Sequence, residues 1–250
     1  MIIVLLLILI ILITLLKPGI PKTVHKIFLS SGEIEPIEQS IQNAMNTWKL
    51  PGYKLKLWYL EDCRKYLTDN FSPKHLETFD NIVPYAYKAD FMRYCILYNE
   101  GGWYSDWQQV LLISLENFKG FNWVSCWDTT GEENKKNGCM QNGFMGSCKG
   151  NSILKECISQ VIKNYTTKNY GKSAWYPTGP CLLGDAFRKK RPFFNVKLGH
   201  TKIEPEGPCF FIDSKKVVIN KCCVDINTPA TNFKNGNNYI TLWNSKQIYV

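Results

Sequence analysis

The chain has 250 residues, 45% of them hydrophobic and 20% charged, which is ordinary for a globular protein and enough for one sizeable domain plus a short appendage. Its formal net charge of +9 would attract nucleotides, nucleic acid or anionic membrane, but the lysines are scattered and no homeodomain, zinc-finger or RNA-recognition signature appears, so no nucleic-acid partner is expected. The ten cysteines contain no CxxC pair and the three histidines are far apart, which argues against a structural zinc site and leaves disulfides and buried free thiols both open.

Residues 2–16 are apolar except for Thr14. As a helix, residues 1–16 would span about 24 Å, against about 30 Å of membrane hydrocarbon. No basic residue precedes the segment and no small-residue cleavage site follows it. The expectation is therefore an uncleaved single-pass membrane anchor rather than a removed signal, ended by Pro18. Residues 17–22 read as a short stem and residues 23–250 as the main domain. Orientation stays open. Lys17, Lys22 and Lys26 favour a cytoplasmic domain, whereas the sequons at Asn70 and Asn164 permit a lumenal one.

Thr23–Leu29 reads as a strand. Ile37, Ile41, Met45 and Trp48 recur with helical spacing behind Pro36. Pro51-Gly52 is a turn, and Lys54–Tyr59 alternates as a strand. Residues 61–68 and 73–80 suit short helices, 122–127 a strand, 153–162 an amphipathic helix and 216–220 a short strand. The Asn-rich tract Thr228–Asn238 reads as a loop. Strands alternating with helices argue for an α/β sheet with crossover connections, and no second domain boundary is visible.

The stretch 84–108, PYAYKADFMRYCILYNEGGWYSDWQ, carries the most information. Asp90 and Arg93 are helix-surface neighbours. Gly101-Gly102 stops that helix. Trp103-Tyr104-Ser105-Asp106 then delivers an aspartate to a strand end, where ligands meet α/β folds.

The order Ala89-Asp90, Arg93-Tyr94, Leu97-Tyr98, Gly101-Gly102, Asp106 resembles the DXD-type sugar transferases of glycosyltransferase family 32, and more distantly the clostridial glucosylating toxins. Gln108 stands where the second aspartate of that motif belongs. Three further segments are similar to family elements: Ile20–Phe28, Gln141–Gly146 and Pro177–Pro180, the last opening a helix. The terminal Asn238–Asn244 segment is similar to one that closes over the donor diphosphate; read without the resemblance, it is a strand packing Trp243 into the core.

The resemblance implies a GT-A-type, Rossmann-like mixed sheet flanked by helices. The implied activity is retaining transfer of a hexose from a UDP- or GDP-sugar to a glycan, lipid or protein hydroxyl. It places Asp90, Arg93 and Asp106 in catalysis. Phe28, Tyr104, Asn142, Thr241 and Trp243 join them at the donor, with Phe28 against the base, Asn142 at the sugar, and Thr241 and Trp243 at the diphosphate. Mn²⁺ or Mg²⁺ would be held by Asp106, Gln108 and Asn238. Because two of those three ligands are neutral, three readings follow: weak metal binding, replacement of the cation by a lysine such as Lys246, or a catalytically impaired nucleotide-sugar or glycan-binding protein of the same fold.

Overall fold

A computed structural model describes residues 19–29, 39–190, 195–220 and 237–250. The apolar segment 1–16, Pro36, Ile37 and most of the Asn-rich tract lie outside the described residues. Among the described residues no helix is long and apolar enough to cross a membrane.

Nine strands form one mixed sheet, in the order β2-β1-β3-β6-β5-β7-β8-β9-β4. They are β1 (Thr23–Ile27), β2 (Lys54–Trp58), β3 (Gly102–Ser105), β4 (Gln109–Leu111), β5 (Trp123–Trp127), β6 (Met140–Ser147), β7 (Val196–Glu204), β8 (Gly207–Ile212) and β9 (Lys215–Asn220). β1 runs parallel to β2 and β3, and β5 parallel to β7; β6 is antiparallel to both β3 and β5. The described helices are α1 (Gln39–Asn46), α2 (Leu60–Asn70), α3 (Pro73–Asn81), α4 (Tyr85–Glu100), α5 (Glu132–Asn137), α6 (Ser152–Thr166), α7 (Pro180–Lys190) and α8 (Tyr239–Asn244).

Side chains on successive strand residues point to opposite faces, and the core follows that alternation. Tyr104 and Ile27 join one cluster, with α4, α6 and α7; Trp103 and Val24 join a second, with Trp48, Phe144 and Phe210. Helix α4 is buried through most of its length, including its polar residues Lys88, Asp90 and Arg93, as expected for a central helix covered on all sides. It ends at Gly101 (φ 70°), and Gly102 follows at φ 103°. A Cβ on Gly102 would lie 2.6 Å from the Thr23 carbonyl, so the glycine pair lets the helix turn directly into β3 against β1.

The strands expected near 23–29, 54–59, 122–127 and 216–220 are present, and Pro180 does open a helix. The β6, β7 and β8 strands were not expected. β6 carries Asn142, Gly143 and Gly146, residues that strands ordinarily avoid, and it forms because β3 and β5 pair with it on both sides. The terminal segment is helix α8, not a strand. Asn238 caps it, its Oδ1 accepting from the N–H groups of Ile240 and Thr241 at 2.9 and 3.1 Å.

Both cysteine states occur. Cys139, just before β6, forms a disulfide with Cys181 of α7, while Cys63, Cys95, Cys126, Cys157 and Cys209 are buried free thiols. The Asn164 sequon is folded inward: its amide donates to the Pro177 carbonyl and accepts from Gln160 and Asn169. That side chain cannot carry a glycan in the folded domain, so a bare Asn164 says nothing about orientation.

Candidate active site

Helix α4 turns Asp90 and Arg93 toward the end of β3, where both are buried. Asp90 Oδ1 accepts from Asn142 Nδ2 at 2.8 Å and pairs with an Arg93 terminal nitrogen at 3.2 Å. Its Oδ2 accepts from Thr178 Oγ1 at 2.8 Å. Arg93 donates to the Asn142 carbonyl at 2.9 Å and to Ala89 at 3.2 Å, and lies 3.3 Å from Asp106 Oδ1. Its guanidinium carbon sits 4.3 Å above the Tyr104 ring. The Tyr104 hydroxyl donates to Asp106 Oδ1 at 2.9 Å.

The result is two carboxylates bridged by one guanidinium. Burial pushes the Asp90 carboxyl above its ordinary range, against the pull of Arg93, Thr178 and Asn142. Burial also opposes charge on Arg93, but Tyr104 and the two carboxylates outweigh it and keep the guanidinium protonated.

Asp106 differs from Asp90 in being open on one side. Its side chain is 27% exposed, against 12% for Asp90. Its Oδ1 is engaged, whereas its Oδ2 has no hydrogen-bond partner among the described residues. The backbone is fixed by Asp106 N donating to the Gly143 carbonyl at 2.9 Å. In the turn that follows, two side-chain atoms are buried without a partner: Gln108 Oε1 and Gln109 Nε2.

The other expected site residues are placed as follows. Phe28 packs edge-on against Trp107, at 5.4 Å between ring centres, and against Tyr59 at 6.4 Å, beside a small cleft lined also by Lys26, Met45 and Leu57. Tyr104 and Asn142 belong to the cluster but lie beneath it, buried and bonded to Asp106 and Asp90. The four carboxy-terminal candidates sit apart. Asn238 spends its side-chain oxygen on the α8 cap. Thr241 is exposed. The Trp243 indole donates to the Tyr170 carbonyl at 2.7 Å. Lys246 lies over the Tyr170 and Trp243 rings. Among the described residues none of these four bonds to the Asp90–Arg93–Asp106 cluster. Their helix rests near the start of α4, with Tyr239 against Tyr87 and Trp175.

Sequence reasoning missed Lys26 and Ser105, and did not connect Thr178 with Asp90. A lysine between the inward-facing Val24 and Ile27 of a buried strand was the available signal for Lys26. Burial pushes its ammonium down to about 7, with Asp106 pulling the other way. A roomier cleft of about 510 Å³ lies between α6, α7 and residues 169–176, but it holds none of the clustered residues.

The mixed sheet carries an acid–guanidinium–acid cluster at a strand end. Residues 37–125 match the family described as "Glycosyltransferase sugar-binding region containing DXD motif", a span that includes Asp90, Arg93, Asp106 and Gln108. It is similar to an uncharacterised glycosyltransferase of Acanthamoeba polyphaga mimivirus, 28% identical over 214 residues, covering 85% of this chain and 78% of that protein. It is also similar to inositol phosphoceramide mannosyltransferase 2 of Schizosaccharomyces pombe, 24% identical over 246 residues. That alignment takes in 93% of this chain but only 63% of the yeast protein's length. Among solved structures, the PaToxG glycosyltransferase shares the fold, with a TM-score of 0.54 at 18% identity over 68% of this chain and 70% of that one.

A DXD region implies a divalent cation, and the donor set here fits one with reduced charge. Gln108 Oε1 is a buried oxygen without a hydrogen-bond donor, and the Asp106 carboxylate is partly exposed; oxygens of both kinds are ligands that hard cations prefer. Only one of them is anionic. The Asn238 oxygen is already committed to two backbone N–H groups.

Proposed function

We propose that this domain transfers a hexose from a UDP- or GDP-sugar to a hydroxyl of a glycan, lipid or protein acceptor, with retention of configuration. The observation that carries this reading is the state of Asp106: one carboxylate oxygen is locked by Arg93 and Tyr104, while the side chain stays partly exposed at the strand end.

In this reading Asp106 and Gln108 hold Mn²⁺ or Mg²⁺, weakly. That ion, when bound, supplies Lewis-acid neutralisation of the charge on the departing nucleoside diphosphate. Asp90 uses three of its roughly four acceptor positions on Asn142, Arg93 and Thr178, which leaves one for a sugar hydroxyl. Arg93 does not reach for the diphosphate. Four of its five N–H donors are directed at protein partners, and it orients both carboxylates. Phe28 and Trp107 form the aromatic wall offered to the nucleobase. Residues 2–16 anchor the domain to a membrane.

A second reading has a specific observation behind it. With a neutral amide at Gln108 and Asn238 engaged as a cap, the protein binds a nucleotide sugar without turning it over. One experiment separates the two: thermal shift and free-nucleotide release across UDP- and GDP-hexoses, with and without Mn²⁺. Stabilisation with release that disappears in Asp106→Ala supports transfer chemistry. Stabilisation alone supports the binder, and no response to any donor overturns both.

A further inference from the structure

Asp106 is gripped from both faces of the sheet, and the second grip involves a charge that the fold itself has no use for. Lys26 on β1 is only 2% exposed. Its Nζ donates to the Asp106 carbonyl at 2.9 Å and to Ser105 Oγ at 3.1 Å, and stands 4.6 Å over the Trp48 indole. Among the described residues no carboxylate forms an ion pair with it.

The carbonyl it holds is a turn carbonyl. Gln109 N donates to the same oxygen at 3.1 Å, closing a turn whose two central residues are Trp107 and Gln108. Ser105 Oγ continues the network to Gln109 Oε1 at 3.0 Å, and the Trp48 indole donates to the Gln109 carbonyl at 2.7 Å.

Burying an ammonium without a counter-ion is costly, and a neutral chain of similar length would pack on Trp48 without that penalty. A residue kept against that cost serves something other than stability. Among the described residues its hydrogen-bond partners are the residue that presents the proposed catalytic carboxylate and that residue's neighbour.

We infer that Lys26 is a positioning residue: it fixes the Asp106–Gln109 turn, and through it the direction in which Asp106, Trp107 and Gln108 face the donor. The inference rests on the sugar-transfer reading for its purpose, but not for its structural content. Arg93 and Tyr104 set the rotation of the Asp106 side chain from the α4 face. Lys26 sets the peptide from the Trp48 face. Neither can do the other's task, because one acts on the carboxylate and the other on the backbone.

The test uses Lys26→Met and Lys26→Gln in the full chain, with three readouts: melting temperature, amide hydrogen exchange of the peptide spanning 105–111, and donor turnover. The expected result for Lys26→Met is an unchanged or raised melting temperature. Exchange in the 105–111 peptide should be at least tenfold faster, with other strands protected as before. The kcat for nucleotide release should fall at least tenfold, with KM within about threefold. Lys26→Gln should keep more of the turnover than Lys26→Met, since it retains a donor.

A melting temperature that falls with global loss of protection, or failure of both variants to fold, would make Lys26 an ordinary core residue and overturn the inference. Unchanged exchange in 105–111 would overturn it as well, as would unchanged turnover in an active protein. If the unmodified protein releases no nucleotide from any donor, the sugar-transfer reading fails, and the exchange and melting data still decide whether Lys26 holds the turn.

Discussion

Gly143→Ala is the sharpest test of the site geometry. Gly143 lies on β6 and its carbonyl accepts the Asp106 N–H. A Cβ there would stand 2.6 Å from Asp106 Oδ2, 3.3 Å from Asp106 Cγ and 3.2 Å from Gln109 Nε2. Its φ is outside the left-handed region, so alanine brings no backbone strain and the effect is purely that of the methyl group. An ordinary contact needs about 3.5 Å, so the carboxylate oxygen must retreat by about 0.9 Å. It retreats toward solvent, dragging Oδ1 away from Tyr104 and Arg93. A displacement of about 1 Å at a reacting constellation costs about 100-fold in rate, equivalent to about 2.7 kcal/mol of transition-state stabilisation. Stability should change by about 1–3 kcal/mol for the two weakened contacts to Oδ1, or about 2–4 °C in melting temperature per kcal/mol. The assay is kcat/KM for nucleotide release beside a thermal melt. Turnover within threefold of the unmodified protein would refute the claim that Asp106 Oδ2 faces the donor from this position.

Other consequences are equally concrete. Arg93→Met leaves two carboxylates without their shared cation, one of them largely buried, and should cost about 3–5 kcal/mol in urea unfolding at neutral pH; a loss under 1 kcal/mol would mean that the cluster is solvated. His25 is buried with Nε2 against the Gly101 carbonyl and Nδ1 accepting from Trp58, and burial lowers its pKa from 6.5 to about 4. Below about pH 6.5 the unfolded chain therefore takes up a proton that the native chain refuses, and stability should fall by up to about 3 kcal/mol as pH drops toward 4. His25→Gln should flatten that acid limb, and an unchanged limb would assign it to other groups. The Cys139–Cys181 disulfide closes a sequence separation of 42. Reducing it should cost about 4 kcal/mol, and mass spectrometry after alkylation without reductant should recover the two cysteines as one linked peptide pair rather than as two capped thiols.

How far the chain could be read depended on how local the determinants were. The α4–Gly101-Gly102–β3 unit was legible because helix, stop and strand succeed one another without a gap, and the two acidic positions and Arg93 lie on it. The hydrophobic periodicity of Ile153–Ile162 likewise gave α6. β6 was not legible: its Asn and Gly content argues against a strand, and the reason for Gly143 is a clash with a residue 37 positions away. Lys26 was overlooked for the same cause, since its partners on β3 are brought to it by parallel pairing across intervening chain. The donor role of Arg93 was implied by the resemblance, whereas the structure directs four of its N–H donors at protein partners behind the carboxylates. The expectation for Asn238 as a metal ligand gave way to a nearer demand. An asparagine immediately before a helical turn caps that turn, and Asn238 does so here.

That small cap leaves an opening for protein engineering. Aspartate serves the first position of a helix about as well as asparagine, so Asn238→Asp asks nothing of α8 while adding an anion at the tail. The scaffold thus tolerates at least one extra negative group beside its terminal helix, and the neutrality found there reflects no demand of local folding.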